Sequence, residues 1–181
     1  EALCCFGDNV LVGTTSVLDC ISLSTRKILH CEYMDKQGHK HPIKGYFSDI
    51  LFHDNTVYAF NTNGEVWQWL ADHSYADKGV FTPLELPFSS AVIRMFPNGK
   101  SGQMFVLTKE SLSLVNLSDK KVLAETPVDN IMKADNSGHY TLYYSNHMDA
   151  VIIGAGIGSP TYAYRLSRGV FNVLDITLPS N

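Results

Sequence analysis

The chain has 181 residues, 45% of them hydrophobic, and its 14 basic and 18 acidic residues give a formal net charge of -4. This length and hydrophobic fraction suffice for one domain with a buried core. The acidic balance excludes nucleic acid as the primary ligand, because no broad cationic surface is available to neutralise phosphates. The lysines of residues 36–44 and 120–121 are interpreted as solvated loop charges.

No apolar segment approaches the ~20 residues that span a bilayer, and no signal-peptide pattern opens the sequence. We therefore expect no membrane partner and a cytoplasmic or nuclear location. The sequence begins at Glu1 rather than at a methionine, so we expect a trimmed or excised piece, with a removed leader still open.

The four cysteines all lie within the first 31 residues, and none has the C-x-x-C spacing of zinc or dithiol sites. We expect reduced thiols in strands, which favours the cytosol or nucleus. Cys31, His39 and His41 offer zinc-binding atoms, but their spacing matches no established pattern and a fourth ligand is missing. No metal site is predicted.

In chain order, the first unit consists of four short apolar runs, ALCCF, VLVG, VLDCISL and KILHCEY, separated by polar turns. Runs of four to seven residues with many β-branched side chains favour strands, because an amphipathic helix needs ten or more residues. After a polar loop at 34–45, a second unit repeats this order around the segment TVYAFNTNGEVWQWL of residues 56–70. Its Asn63-Gly64 pair tolerates positive φ angles, so we predict a β-hairpin there.

A third unit follows, and the second strands of the three units are predicted to begin at Val10, Val57 and Met104, 47 residues apart. The fourth unit is expected to be shorter, with its second strand near residues 140–144 and DAVIIGAGI as its third. A period of 40 to 50 residues with four strands is typical of propeller blades. We predict an all-β chain, a β-propeller or part of one, with blades at about 1–45, 46–90, 91–129 and 130–181.

The segments VLDCISLSTRKILH and SLSLVNLSDKKVLAE resemble the blade pattern of WD40-like and quinoprotein-like propellers, in which a strand ends in a polar turn and the next strand follows a basic residue. The resemblance covers residues 1–150. The Gly-His and Trp-Asp dipeptides of strict WD40 blades are missing, and Trp67 and Trp69 do not match the quinoprotein tryptophan. The resemblance implies stacked blades, either in a small closed propeller or in part of a larger one.

Residues 150–175 also resemble the phosphate-binding opening of flavin and NAD enzymes. That resemblance implies a cofactor loop followed by a helix, with candidate residues Gly154, Gly156, Gly158, Ser159 and Asp175. A serine replaces the third glycine, and too little chain follows for a dinucleotide-binding sheet. We favour strands of the last blade and predict no cofactor, and the alternative is a fragment of an FAD- or NAD-dependent oxidoreductase.

The sequence shows no catalytic motif, so we predict a non-enzymatic interaction scaffold that serves as a subunit of a larger protein complex. The predicted contact residues are the loop aromatics Tyr46, Tyr75 and Phe81, because aromatic side chains dominate interface energetics. If the propeller is incomplete, the edge strands near Ala2 and Val170 are predicted contact edges, and a partner or a second copy would close it. A propeller hydrolase or lyase would instead need a metal or carboxylate cluster in its channel.

Overall fold

The computed structural model describes residues 2–71, 79–128, 140–154 and 161–174. Every regular element in these ranges is a β-strand, so the prediction of an all-β chain is confirmed. None of the described residues belongs to a helix with the length and hydropathy that a membrane crossing needs. The chain divides into two compact units, residues 1–86 and residues 87–181, which are described separately.

The first unit contains two antiparallel four-stranded sheets and one additional hairpin. The strands of the first sheet, in spatial order, are β1 (Ala2–Phe6), β2 (Asn9–Gly13), β3 (Leu18–Ser22) and β4 (Ile28–His30). The additional hairpin consists of β5 (Glu32–Met34) and β6 (Lys40–Pro42). The second sheet consists of β7 (Phe47–His53), β8 (Thr56–Asn61), β9 (Val66–Leu70) and β10 (Val80–Pro83).

The additional hairpin extends the second sheet, because β5 pairs in parallel with β10 and β6 becomes the outer strand. Residues 32–34 and 40–42 thus join the second sheet, although the predicted first blade runs to residue 45. The new outer strand contains Lys40 and Pro42, two residue types that discourage pairing at a sheet edge. The hairpin therefore covers an edge that β10 would otherwise expose.

The second unit contains two antiparallel four-stranded sheets. The strands of the third sheet are β11 (Val92–Pro97), β12 (Gln103–Thr108), β13 (Ser111–Asn116) and β14 (Lys121–Pro127). Those of the fourth sheet are β15 (Thr141–Ser145), β16 (Ala150–Gly154), β17 (Thr161–Ser167) and β18 (Val170–Leu174). The predicted limits of the blades stay a prediction.

The 47-residue period extends through all four sheets. Their second strands begin at Asn9, Thr56, Gln103 and Ala150, each 47 residues after the one before. The prediction for the fourth unit was therefore wrong by one strand. Residues 141–145 form its first strand, and DAVIIGAGI supplies its second strand rather than its third. The first strand of this unit had been expected at residues 130–134, which lie outside the described residues.

Turn chemistry explains several of the hairpins. Asp54 and Asn55 connect β7 to β8 with φ angles of 47° and 57°, the left-handed conformation at both central residues that a type I′ turn requires. The predicted hairpin between β8 and β9 is confirmed, but its turn is wider than an Asn-Gly pair. Its last strand pair joins Phe60 to Val66, and the Asn61 N–H donates to the carbonyl of Glu65 at 3.1 Å.

Each unit buries an apolar layer between its two sheets. In the first unit this layer contains Leu11 and Leu18 of the first sheet with Val57 and Trp69 of the second. In the second unit Phe105 of the third sheet lies 5.8 Å, ring centre to ring centre, from Tyr144 of the fourth. A four-stranded sheet with two apolar faces is stable only when a neighbour covers each face.

Candidate functional site: the open face of the first sheet

Within the first unit, the first sheet has one apolar face that no other described residue of that unit covers. We call this surface, which consists of Leu3, Cys5, Val10, Val12, Ile21 and Ile28, the open face. The strand register places these residues on one side, because Leu3 lies opposite Val12, Cys5 opposite Val10, and Val10 opposite Ile21. Leu3 is 65% exposed and Ile28 is 63% exposed, so large aliphatic side chains meet solvent here.

The register positions of Leu3, Val10, Val12 and Ile21 are buried in the other three sheets, whereas the positions of Cys5 and Ile28 include exposed residues, Phe52 at 38% and Val173 at 68%. The counterparts of Leu3, which lie opposite the matching residue of each second strand, are Ile50, Met95 and Leu142, and none is more than 8% exposed. The counterparts of Val10, Val12 and Ile21 are buried as well, namely Val57, Ala59, Trp69, Met104, Val106, Val115, Val151, Ile153 and Tyr164. The open face is therefore a face of the kind that packs between sheets, without its neighbour.

One polar pair lies beside the aliphatic residues of the open face. Asp19 lies opposite Val12 on the neighbouring strand, and its carboxylate lies 2.6 Å from Nδ1 of His30 on the outer strand. The Cys5 thiol is exposed on the same face, whereas Cys20 is buried on the opposite side of the sheet. The open face thus combines an apolar centre with one acidic position and one accessible thiol.

Polar side chains at a fixed repeat position hold the turns after the second strands. Thr14, Asn61 and Thr108 occur 47 residues apart, and each accepts hydrogen bonds from backbone N–H groups of its own turn. Asn61 also donates to the Glu65 carboxylate at 2.6 Å. We did not predict these residues, although the 47-residue period would have revealed them if Thr14 and Asn61 had been aligned.

The additional hairpin of the first unit closes around one carboxylate. Asp35 accepts backbone hydrogen bonds from Gln37 at 2.9 Å and His39 at 2.8 Å, and its other oxygen lies 2.8 Å from Nε2 of His41. The hydrogen bond from His41, together with the two backbone N–H groups and the nearby His39 ring, lowers the pKa of Asp35 to about 2. Asp35 is a structural anion of the hairpin.

A cavity of about 660 Å³ lies in the first unit, beside the additional hairpin. Buried Val66, Trp67 and Leu84 contribute to its wall, while Lys44 and Glu65 are exposed. Its remaining lining residues are Tyr33, Pro42, Gly64, Pro83, Glu85 and Leu86. This lining contains no serine, cysteine or histidine, and its ionisable side chains are Tyr33, Lys44, Glu65 and Glu85.

The predicted contact aromatics differ in where they lie and, where described, in their exposure. Tyr46 is 45% exposed and stays a predicted contact residue, while Tyr75 lies outside the described residues. Phe81 corrects the prediction, because it lies in strand β10 rather than in an exposed loop. It is fully buried, with its ring centre 5.7 Å from that of Trp69, so it has no surface to offer a partner. It belongs to the core cluster of the first unit, which explains the burial.

The two predicted contact edges are also visible. Ala2 begins β1, the first strand of the first sheet, and is buried, while its neighbour Leu3 belongs to the open face. Val170 begins β18, the outer strand of the fourth sheet, and is 60% exposed. Neither observation tests whether these edges bind a partner.

The glycine-rich segment has a packing role at its one described position. Gly154 ends β16, and an added Cβ atom there would lie 2.6 Å from the Thr141 hydroxyl oxygen of the neighbouring strand. The helix required by the cofactor interpretation is replaced by β17, which pairs antiparallel with β16. The remaining candidates of that interpretation lie outside the described residues, namely Gly156, Gly158, Ser159 and Asp175.

The conceivable zinc ligands are not brought together. Cys31 is buried in the core of the first unit, and burial raises the pKa of its thiol, which opposes formation of the thiolate that binds metal. His39 and His41 lie instead around Asp35. In the described part of the chain, no group of three or more His, Cys, Asp or Glu side chains is arranged to hold a metal ion.

No protein-family model matches the chain, and no curated protein sequence matches it. Solved structures do. The extracellular domain of a putative one-component system, BT4673 from B. thetaiotaomicron, is similar with a TM-score of 0.65 and 15% identity, over 98% of this chain and 22% of that one. The N-terminal domain of Nup159 is similar with a TM-score of 0.57 and 14% identity, over 95% of this chain and 47% of that one.

The C-terminal WD40 domain of Sif2 is similar with a TM-score of 0.55 and 14% identity, over 92% of this chain and 44% of that one. This chain thus spans less than half the length of each of these three structures. Likeness at such identities shows the fold alone. The chain has a propeller-type fold, and its four four-stranded sheets are consistent with a partial β-propeller.

Proposed function

We propose that this chain is a non-enzymatic protein-interaction module, a partial propeller that serves as a subunit of a larger intracellular assembly. The observation that carries the proposal is the open face, because an apolar surface whose side chains are exposed in part, with Leu3 and Ile28 largely exposed, is typical of a protein contact surface. Among the described residues the four cysteines form no disulfide, and we take this to favour a reducing compartment.

The free energy of apolar burial favours a partner that covers the open face. Fully burying one aliphatic side chain of this size stabilises by about 1.5–3 kcal/mol, and Leu3 and Ile28 keep most of that potential in the isolated chain. A rigid sheet also loses little conformational entropy on binding, because its backbone is already ordered. Binding at the open face therefore gains apolar burial at low cost in ordering.

Site-specific photo-crosslinking in the source cells tests this function. A photoreactive side chain replaces Leu3 in one variant and Lys109, an exposed turn residue of the third sheet, in a matched control. We expect position 3 to crosslink to defined proteins and position 109 not to do so. Equal crosslinking at both positions, or none at position 3, would overturn the proposal.

A further inference from the structure

We infer that the cavity of the first unit is a binding site for an arginine side chain, presented by an extended segment of a partner protein. This site goes beyond the proposed function, which rests on the open face, because other residues line the cavity and its ligand can be tested separately. Four observations carry the inference: the hairpin that helps to build the cavity, its apolar wall, an oriented carboxylate, and the charges around it.

The cavity lies where the second sheet departs from the repeat. Among the four sheets of the described residues, only the second is extended by a hairpin, and Tyr33 and Pro42 of that hairpin line the cavity. The ring of Tyr33 stacks on His41 with 5.2 Å between ring centres, and His41 Nε2 lies 2.8 Å from the Asp35 carboxylate. The hairpin thus supplies a prearranged wall of the cavity, in addition to covering the edge of the sheet.

A second wall of the cavity is rigid and apolar. Trp67 and Pro83 lie opposite each other on paired strands, and the Leu84 N–H donates to the Val66 carbonyl at 2.8 Å. Val66, Trp67 and Leu84 are each no more than 7% exposed. The volume of about 660 Å³ is in the range of cavities that hold organic ligands. Such a wall favours an organic group over a strongly hydrated inorganic ion.

One carboxylate of the lining is held in a defined orientation. Asn61 donates from Nδ2 to Oε2 of Glu65 at 2.6 Å, whereas Oε1 of Glu65 has no hydrogen-bond partner among the described residues. Glu65 lies in the turn before β9, next to Gly64, which also lines the cavity. The second oxygen is therefore available to a donor of the ligand.

The charges around the cavity fit a peptide better than a lone cation. The Glu85 carboxylate of the lining is paired with Nζ of Lys36 at 2.8 Å. Lys44 lines the cavity too, and it forms no ion pair within the described ranges of the chain. Glu65 thus offers a carboxylate to a cationic side chain, while Lys44 offers an ammonium group to a backbone carbonyl. A peptide segment supplies both groups.

An arginine side chain matches this lining better than a lysine side chain does. The guanidinium group is planar and weakly hydrated, so it gains from contact with aromatic side chains such as Trp67 and Tyr33 while it donates to a carboxylate. A lysine ammonium group is compact and strongly hydrated, so an apolar wall stabilises it less. A metal ion has no matching site, because no group of three or more His, Cys, Asp or Glu side chains in the described residues could hold one.

Two-dimensional ¹H–¹⁵N NMR of the full chain tests the inference, because the chain has two tryptophans, of which Trp67 lines the cavity and Trp69 does not. The probe is the tripeptide acetyl-Ala-Arg-Ala-amide, and its control contains citrulline, which has a similar shape without the charge. We expect the arginine peptide to shift the indole N–H signal of Trp67 with a dissociation constant of about 1 mM, and the Trp69 signal to stay in place. The citrulline peptide should bind about 5-fold more weakly or not at all.

A matched pair of variants tests the role of Glu65. Glu65→Gln keeps an oxygen acceptor for Asn61 but removes the charge, so it is expected to weaken binding of the arginine peptide about 3- to 5-fold. Glu110→Gln changes an exposed turn residue of the third sheet that does not line the cavity, and it is expected to leave binding unchanged. An unaltered Trp69 signal in each variant shows that the first unit remains folded.

Three results would each overturn the inference: no shift of the Trp67 signal up to about 20 mM peptide, equal binding of the arginine and citrulline peptides, or equal effects of Glu65→Gln and Glu110→Gln. Tighter binding of free L-arginine than of the tripeptide would overturn the assignment to a partner protein and indicate a small-molecule ligand. Crosslinking at position 3 reports on the open face alone, so failure of this site and failure of the proposed function are distinguishable.

Discussion

Truncation at two matching register positions should have very different effects on stability. Leu3 and Ile50 each lie on the first strand of their sheet, opposite the matching residue of the second strand. Leu3 is 65% exposed, whereas Ile50 is 5% exposed in the layer between the two sheets of the first unit. Replacing each by alanine removes a similar volume from two different environments.

The exposed fractions set the expected magnitudes. Ile50→Ala loses nearly the whole transfer free energy of its side chain and leaves a cavity, so the cost is about 2–5 kcal/mol. Leu3→Ala loses only the buried third of a transfer term of about 1.5–3 kcal/mol and leaves no closed cavity, so the cost is about 1 kcal/mol or less. The expected difference between the two variants is therefore about 1 kcal/mol or more.

Urea unfolding followed by tryptophan fluorescence measures this difference, because Trp67 and Trp69 both lie in the first unit. Measurements at about 1 µM protein keep any association at the open face from adding to the measured stability. With a slope of about 1.5 kcal/mol/M, Ile50→Ala should lower the midpoint by about 1.5–3 M and Leu3→Ala by less than about 0.7 M. Equal midpoint losses would show that the open face is covered within the single chain and would refute the reasoning.

Three further predictions concern the turns, the additional hairpin and the glycine-rich segment. Asn61→Ala should cost about 1–3 kcal/mol in the same urea assay, since it leaves two turn N–H groups without their acceptor, while Thr108→Ser should cost less because it keeps the hydroxyl. The folded pKa of Asp35 is lowered, so its carboxylate stabilises the hairpin fully above pH ~4, and this stabilisation is lost as the pH falls towards about 2. Amide exchange of residues 37–39 should report this loss, and Asp35→Asn should abolish its pH dependence. Gly154→Ala should lower the stability by about 1 kcal/mol, because the added methyl group crowds Thr141. Thr141→Ala in the same chain should restore the stability measured by thermal unfolding. If Gly154 served a cofactor instead of this packing, Thr141→Ala would not restore it.

Much of the architecture followed from local pattern, because strand length and turn chemistry are local properties. The short apolar runs around Val10, Val57 and Met104 were predicted as second strands, and the structure begins those strands one residue earlier. The Asp54-Asn55 turn has the conformation that its residues favour. Local pattern failed in the fourth unit, because the run at 140–145 has the same aromatic and β-branched character whether it forms a first or a second strand.

The prediction of contact residues failed for a different reason. Phe81 follows a polar loop in the sequence, but it belongs to a four-residue strand in which it alone is buried. The additional hairpin was likewise missed, because the parallel pairing of β5 with β10 joins residues almost 50 positions apart. Pairings of that kind depend on the whole fold, and no local pattern indicates them.

The open face itself shows why sequence could not reveal the site. Val10 and Val57 are the same residue at the same repeat position, yet one is half-buried and the other fully buried, because within the first unit Val57 lies in the layer between the two sheets and Val10 does not. The first sheet keeps Leu3, Val12 and Ile21 at positions that are buried in the other three sheets. A face with interior chemistry and exterior exposure is best explained as one that another sheet covers.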